Sequence, residues 1–264
     1  MKLSGRVVAA VLCGGEGSRL RPLTYYFQKA MIPVGSKQKP LLEYIVTLLR
    51  MHGIYDMVFL VNYKHEQILN YFEDGSRFGV NIKYLVDRED RRGTGWAILN
   101  AYERGLFKDY SNVLVYYGDI LSNIDLGEMV RRHEELDASA TIAVSKGYRL
   151  PVGVAHLEGS RIVRFEEKPL VEIPACIGVS VLKTESLKRL YESFMGTREL
   201  DIMAHLIPRL IELGEPVHAY FTECFWYDVG STEKYEKLDN SLVDKLFEKN
   251  PKSSLHSPAG GEEP

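Results

Sequence analysis

The run Val7-Val8-Ala9-Ala10-Val11-Leu12-Cys13-Gly14-Gly15-Glu16-Gly17-Ser18-Arg19-Leu20-Arg21-Pro22-Leu23-Thr24 decides how this chain reads. Val7 to Cys13 is apolar without alternation, which predicts a strand buried on both faces, as in a parallel sheet covered by helices. The three glycines at 14, 15 and 17 let the backbone turn sharply and aim several N–H groups at one small volume, a nest for an anion. Arg19 and Arg21 add positive charge, and Pro22 keeps a helix from starting at once. A strand running into a glycine- and arginine-rich loop suits the phosphates of a nucleoside triphosphate. Taken alone it is equally a tight turn with two solvated arginines. Two commoner phosphate loops fail on spacing. The dinucleotide fingerprint needs a third glycine where Leu20 stands, and a P-loop needs a Lys directly after its glycines, where none occurs.

Outward from this loop, strand-like and helix-like segments alternate. Leu41, Ile45, Leu48 and Leu49 have helical spacing behind Pro40, a residue favoured in the first helical turn. Met57 to Val61 predicts the next strand, and Ile68, Leu69 and Phe72 the next helix. Val80 to Val86 and Asn112 to Tyr117 predict further strands around a helix over Thr94 to Leu106. Such alternation implies βαβ units and a mostly parallel sheet. The pattern changes near Asp137. Ala140 to Val144, Val152 to His156, Arg161 to Phe165 and Cys176 to Leu182 predict short strands, an antiparallel insertion or second lobe on the same sheet. Helical spacing returns at Ile202, Leu206, Ile207, Leu210 and Leu213, and again from Thr232 to about Phe247. Residues 249–264 are rich in Pro, Ser, Gly and Glu and are expected to form a disordered tail.

The 264 residues are enough for one large α/β domain or two small ones, and the composition, 45% apolar and 26% charged, is that of an ordinary globular protein. A net charge of −3 argues against general nucleic-acid binding. Cys13, Cys176 and Cys224 form no close pair and suit a reducing compartment. No signal-peptide pattern and no apolar run of membrane-spanning length occurs, so no membrane partner is expected and the cytoplasm is the expected location.

Beyond the loop, chemistry concentrates at strand ends. Gly118-Asp119 closes the strand Val113 to Tyr117, and an acid at the carboxyl end of a parallel strand faces the crevice where open α/β sheets bind ligands. Asp119 there suits a magnesium ion, which takes one or two carboxylates plus phosphate oxygens; a simple strand-ending turn has the same dipeptide. Glu166-Glu167-Lys168-Pro169 follows another strand, where Lys168 can meet a phosphate as a point charge or lie as a solvated surface pair. Trp226-Tyr227-Asp228-Val229-Gly230 offers a second strand-end acid, Asp228, ahead of a helix opened by Ser231 or Thr232. Gly93-Thr94-Gly95 opens a helix and lets backbone approach a flat ligand such as a base.

In this order, the glycine-arginine loop, Gly-Asp, Glu-Lys-Pro and Asp-Val-Gly make the chain resemble the sugar-1-phosphate nucleotidylyltransferases, from about Val7 to Asn240. The loop, with Lys29 and Met31-Ile32-Pro33-Val34, is the most specific mark. The resemblance implies a Rossmann-like, mixed and mostly parallel sheet sandwiched by helices over residues 1–248, with a small antiparallel sugar-binding lobe inserted at roughly 140–200. It implies that Leu12, Gly14, Gly15, Gly17, Ser18, Arg19, Asp87, Gly93, Thr94 and Gly118 bind the nucleotide, with Asp87 or Arg88 and the Gly93-Thr94 pair against the base. Gly153, Glu167, Lys168 and Gly178 would meet the sugar-1-phosphate, Asp119 and Asp228 would share Mg2+, and Arg19, Lys29 and Lys168 would act in catalysis.

Several positions depart from the family pattern. Gln28 stands where a proline usually precedes the Lys, extra residues fall around Gly35 to Gln38, Tyr117 replaces a frequent Asn, and Cys176 replaces an Asn that can read a sugar hydroxyl. No hexapeptide repeats of a left-handed β-helix follow Asn240, so the acyltransferase and allosteric functions housed there in many relatives are not expected.

The expected reaction joins a nucleoside triphosphate and a sugar-1-phosphate, glucose- or mannose-1-phosphate foremost, with release of pyrophosphate; self-association is left open. The alternatives are an inactive regulatory subunit and a cytidylyltransferase acting on a non-sugar phosphate. Gly93-Thr94-Gly95 is similar to the Gly-Thr-Ala of guanylyl and adenylyl members, and Tyr117-Gly118-Asp119 to some cytidylyltransferases. The resemblance also brings the chain at Gly95 close to the base, so a Val there is expected to block the base with little change in stability.

Overall fold

The computed structural model describes residues 6–150 and 152–248; Pro151 and the predicted tail at 249–264 lie outside the described residues. Seven strands, β1 (Val7–Cys13), β2 (Asp56–Val61), β3 (Asn81–Val86), β4 (Asn112–Tyr117), β5 (Ala140–Ser145), β6 (Ala175–Lys183) and β7 (Val217–Thr222), form one sheet. Their order is β7-β5-β6-β4-β1-β2-β3. Every strand runs parallel to its neighbours except β6, which is antiparallel to both β4 and β5.

The unbroken apolar run of β1 follows from its central place, with helices on both faces. Val7, Ala9 and Val11 pack with Leu41, Ile45 and Leu49 of helix α1 (Leu41–Met51), Ile68 and Phe72 of α2 (His65–Phe72), and Met129 and Val130 of α4 (Leu126–Glu135). Val8 and Ala10 pack on the other face with Trp96, Ile98 and Leu99 of α3 (Thr94–Glu103) and Leu187 and Leu190 of α5 (Ser186–Phe194). Each large apolar side chain so buried contributes about 1.5–3 kcal/mol, which is why both alternations of β1 are apolar. No helix among the described residues is long and apolar enough to cross a membrane.

Three boundaries differ from the sequence expectation, each for a local reason. The helix predicted over Thr94 to Leu106 stops at Glu103 because Gly105, at φ 69°, takes the left-handed conformation while its N–H bonds back to the Tyr102 carbonyl. The single helix expected from Thr232 to Phe247 is two, Thr232–Glu236 and Asn240–Glu248. Asp239 separates them, its carboxylate accepting from the N–H groups of Ser241 at 2.9 Å and Leu242 at 3.1 Å. Residues 140–145 and 175–183, expected in the inserted lobe, are the central strands β5 and β6. Between them lies the protruding antiparallel part, a hairpin of Val154–Glu158 with Arg161–Glu166 and a short ladder of Tyr148–Arg149 with Leu170–Val171.

The order β3-β2-β1-β4 reverses direction between β1 and β4, and such a reversal opens a crevice at the carboxyl ends of the strands. Because β6 runs the opposite way, its beginning at Ala175 reaches that same edge, as does the end of β5 at Ser145. The hairpin lobe therefore rises beside the crevice.

Candidate active site

The segments that follow β1, β2, β3 and β4 wall one cleft of about 730 Å³. Leu12, Gly14, Gly15, Lys29, Asp87, Gly93, Thr94, Gly118 and Asp119 all line it, together with Asn62. At its centre the end of β4 lies flat on β1. Gly118 donates its N–H to the Leu12 carbonyl at 3.0 Å, and a Cβ at 118 would come within 2.8 Å of that oxygen. Gly17, at φ 63°, closes the loop, its carbonyl accepting from Thr24 Oγ1 at 2.9 Å. Ser18 and Arg19 follow in an exposed helical turn, outside the cleft wall.

Lys29 donates through Nζ to Asp119 Oδ2, and both side chains are mostly buried, at 15% and 22% exposure. What holds Lys29 there is Gln28. Its side chain is buried, donates from Nε2 to the Cys13 carbonyl at 2.6 Å, and accepts at Oε1 from Ala30 N–H at 2.6 Å. Its backbone N–H donates to Gln67 Oε1 at 2.7 Å. The residue that departs from the family proline thus ties the Lys29 turn to the end of β1 and to α2. Gln28→Ala leaves a buried carbonyl and a buried N–H unpaired, and is expected to cost about 2–6 kcal/mol at roughly 1–3 kcal/mol per group. Thermal or urea unfolding checks this; an unchanged midpoint would mean the amide anchors nothing.

Asp228 approaches Asp119 through the backbone. Trp226–Asp228 pairs antiparallel with Ile120–Ser122, Asp228 opposite Ile120, and Val229 N–H donates to the Asp119 carbonyl at 2.9 Å. Asp228 Oδ2 accepts from Lys234 Nζ at 2.6 Å. Ser231 opens the helix beyond, accepting from Lys234 N–H at 3.3 Å. Thr232 Oγ1 donates to the carbonyls of Arg19 at 3.4 Å and Arg21 at 3.3 Å, which joins the glycine-arginine loop to the Asp228 segment. The Arg19 side chain is exposed and does not line the cleft.

Gly153, Glu167, Lys168, Gly178 and Asp228 stand outside the cleft wall. Gly178, at φ 78°, backs Tyr117, whose Cβ a side chain at 178 would meet at 3.3 Å. Gly153 sits under the Phe165 ring and 3.0 Å from Glu167 Oε2, measured from the place of a Cβ. Lys168 is exposed and holds φ 47°, a conformation uncommon for a residue other than glycine. It faces Glu233, whose carboxyl is held below the usual range chiefly by Lys237, with Lys168 adding to the effect.

On the opposite flank, Asp87 ends β3 under Gly14, where a Cβ would come within 2.6 Å of Oδ2. Its Oδ1 is buried without a hydrogen-bond partner, and burial alone pushes the carboxyl up to about 6. Next to it, Gly93 at φ 96° caps α3. Thr94 Oγ1 donates to Asp201 Oδ2 at 2.7 Å, and Gly95 N–H to the Leu200 carbonyl at 2.8 Å. This corrects the expectation for Gly95. A Cβ there would meet Leu200 Cγ at 2.8 Å and the Leu200 backbone at 3.0 Å, so the glycine makes room for residue 200 and a Val would not leave stability little changed. The Leu200-Asp201 segment and Asn62 escaped the sequence reading. Asp201 did carry a signal, an acid immediately before the helical spacing that begins at Ile202, and it accepts from Met203 and Ala204 N–H groups as a cap.

Residues 8–245 match the family model described as nucleotidyl transferase. The chain is 32% identical over 253 residues to a UTP–glucose-1-phosphate uridylyltransferase of Synechocystis sp., covering 90% of this chain and 63% of that one. It is 30% identical over 245 residues to a mannose-1-phosphate guanylyltransferase of Mycobacterium tuberculosis, with 90% and 65% covered. It thus spans just under two thirds of either relative. A Bacillus anthracis structure assigned as a glucose-1-phosphate thymidylyltransferase superposes with a TM-score of 0.73 at 22% identity, covering 92% of this chain and 99% of that one. That likeness concerns the fold.

Proposed function

Because the chain belongs to the nucleotidyl transferase family, we propose that it transfers a nucleoside monophosphate from the triphosphate to a sugar-1-phosphate, glucose- or mannose-1-phosphate, releasing pyrophosphate. One observation carries this reading: a half-sealed lysine, Lys29, paired with a strand-end carboxylate, Asp119, in a cleft walled by Gly14, Gly15 and Gly118. Names among the relatives, uridylyl and guanylyl transfer to hexose-1-phosphates, agree with it.

In the proposed reaction a phosphate oxygen of the sugar-1-phosphate attacks the α-phosphorus in line. The new P–O bond forms as the bond to the bridging oxygen breaks, and that oxygen leaves with its electron pair on pyrophosphate. The attacking phosphate is already ionised at neutral pH, so no general base is required. The obstacle is repulsion between anions, roughly 4 kcal/mol for two unit charges about 4 Å apart at an effective dielectric near 20. The glycine-loop N–H groups, Lys29 and Arg19 would hold the triphosphate, and Lys168 on the neighbouring lobe the sugar phosphate.

The carboxylates of Asp119 and Asp228 suit Mg2+, because the ladder of 120–122 with 226–228 makes them chain neighbours and each already offers an oxygen to an ammonium group. Two carboxylates are the protein share that Mg2+ takes when phosphate oxygens supply the rest; among the described residues no larger acidic or His/Cys cluster competes. When bound, the ion would neutralise developing charge on the phosphates.

The separation of the two flanks is testable. Lys168→Ala is expected to raise KM for sugar-1-phosphate roughly 10- to 150-fold with little effect on the nucleotide, and Arg19→Ala to do the reverse, since a charge-assisted hydrogen bond is worth ~1.5–3 kcal/mol. Steady-state kinetics with each substrate varied in turn measures this. Equal effects of both substitutions on both substrates would contradict the assignment.

A further inference from the structure

The hairpin of Val154–Glu158 with Arg161–Glu166 has one apolar face and one polar face, and the apolar face is open. Residues directly opposite in an antiparallel pair share a face, and the register sets Ala155 against Phe165 and Leu157 against Ile162. The alternate pairs, His156 with Arg164 and Glu158 with Arg161, fall on the other side. Ion pairs there agree with that division: Glu166 meets His156 at 2.9 Å and Arg164 at 3.0 Å. A bulge at Val163 keeps the apolar set together. Ile162 and Phe165 are three residues apart, and without the extra residue between them they would point to opposite faces.

Leu157, Ile162 and Phe165 are 61%, 57% and 61% exposed. A lone two-stranded hairpin is marginal in water and ordinarily needs a further strand or a helix against its apolar face. Among the described residues nothing supplies one. Nor is the face part of a sugar pocket. Gly153 and Glu167 stand at the base of the hairpin beside Phe165, whereas Leu157 and Ile162 lie four and five residues farther out, roughly 13–17 Å at about 3.4 Å per residue.

We propose that this face is a homodimer surface, on which the hairpins of two copies of this chain pack about a two-fold axis. Such an axis presses one patch against itself, and a patch of Ala155, Leu157, Ile162 and Phe165 can meet its own copy without opposing like charges. Val152, Leu170 and Ile173 of the same lobe are also more than half exposed. Together these side chains offer several hundred Å², beyond the largest apolar patch of most monomers (~300–600 Å²) and near the ~800 Å² per partner that a specific interface buries.

The other occupants fit less well. Residues 249–264 contain a single large apolar side chain, Leu255, and three prolines. Residues 1–5 span at most ~18 Å and precede β1, whose seven residues, roughly 23 Å long, separate them from the edge where the lobe stands. An anionic lipid surface would need free cations around the apolar residues; His156 and Arg164 are both engaged by Glu166, and the net charge is −3.

Sedimentation velocity on the full chain tests this. At ~50 µM the wild type is expected to sediment as a dimer, since interfaces of this size hold at micromolar or better. Ile162→Glu buries like charges at the seam and is expected to raise the dimer dissociation constant at least ~30-fold, with the melting midpoint unchanged. Leu157→Glu, on the other strand of the same face, is expected to do the same and serves if the first variant does not fold. Arg161→Ser, on the polar face, is expected to leave the dimer intact. A dimer that survives both glutamates, or that Arg161→Ser also abolishes, overturns the proposal. So does a monomeric wild type, whether its hairpin amides exchange slowly under cover of the chain's own ends or it binds vesicles of anionic phospholipid.

Discussion

Asp119→Asn is expected to lower turnover at least ~100-fold while the circular dichroism spectrum and melting midpoint stay close to those of the wild type. The size follows from charge. A hundredfold loss corresponds to about 2.7 kcal/mol at 1.36 kcal/mol per tenfold, less than the several kcal/mol that a carboxylate-held metal contributes to phosphoryl chemistry. The fold should survive because asparagine keeps the shape and an oxygen for Lys29, and because the backbone pairings that fix the residue, Gly118 N–H to Leu12 and Val229 N–H to Asp119, do not involve its side chain. Initial rates at saturating substrates, with the melt as control, measure both halves. Near-normal Mg2+-dependent turnover in a folded variant would remove Asp119 from the site.

Gly95→Val is expected to lower the melting midpoint by roughly 2–12 °C. The valine Cβ would arrive 2.8 Å from Leu200 Cγ and 3.0 Å from the Leu200 carbonyl carbon and oxygen, and only the first of these belongs to a side chain that can turn away. The backbone there is pinned, Leu200 N–H donating to the Arg92 carbonyl at 2.9 Å and Arg92 N–H to the Arg198 carbonyl at 2.8 Å. Overpacking of this kind costs about 1–3 kcal/mol, and at roughly 2–4 °C per kcal/mol for a chain of this size the shift is easily read in a thermal melt. Nucleotide binding should weaken as a consequence, because α3 begins at the cleft with Thr94. A melt unchanged from wild type, with nucleotide binding abolished, would restore the base-contact role that the family likeness implied for Gly95.

Gly95 also marks where the sequence stops being legible. β1 could be read because its surroundings are uniform: a strand covered by helices on both faces needs apolar residues at every position, and Val7 to Cys13 supplies them. The loop of Gly14, Gly15 and Gly17 and the acid after β4 were legible for a similar reason, since a turn and a strand end impose their residue types locally. The place of β6 was not: Cys176 to Leu182 was expected in an antiparallel insertion and is antiparallel, but it runs inside the main sheet between β4 and β5, and the choice of partner strands leaves no mark in a buried apolar run. Nor was the packing of Leu200 against Gly95, since that contact joins segments about a hundred positions apart and follows no local period. Gln28 was visible only as a departure from a family pattern; that its amide would bridge Cys13 and Ala30 depends on how the loop folds back over β1. Asp87 was named only through the family resemblance; the burial that leaves its Oδ1 without a partner follows from no local pattern.

The most direct measurement is pyrophosphate release by the full chain with Mg2+, using GTP, ATP, UTP, dTTP and CTP, each paired with glucose-, mannose- and galactose-1-phosphate. The account predicts release only when a triphosphate and a sugar-1-phosphate are both present, fastest with glucose- or mannose-1-phosphate, with one nucleotide-sugar formed per pyrophosphate. Absence of release with every pair, or release that does not require the sugar phosphate, would contradict it.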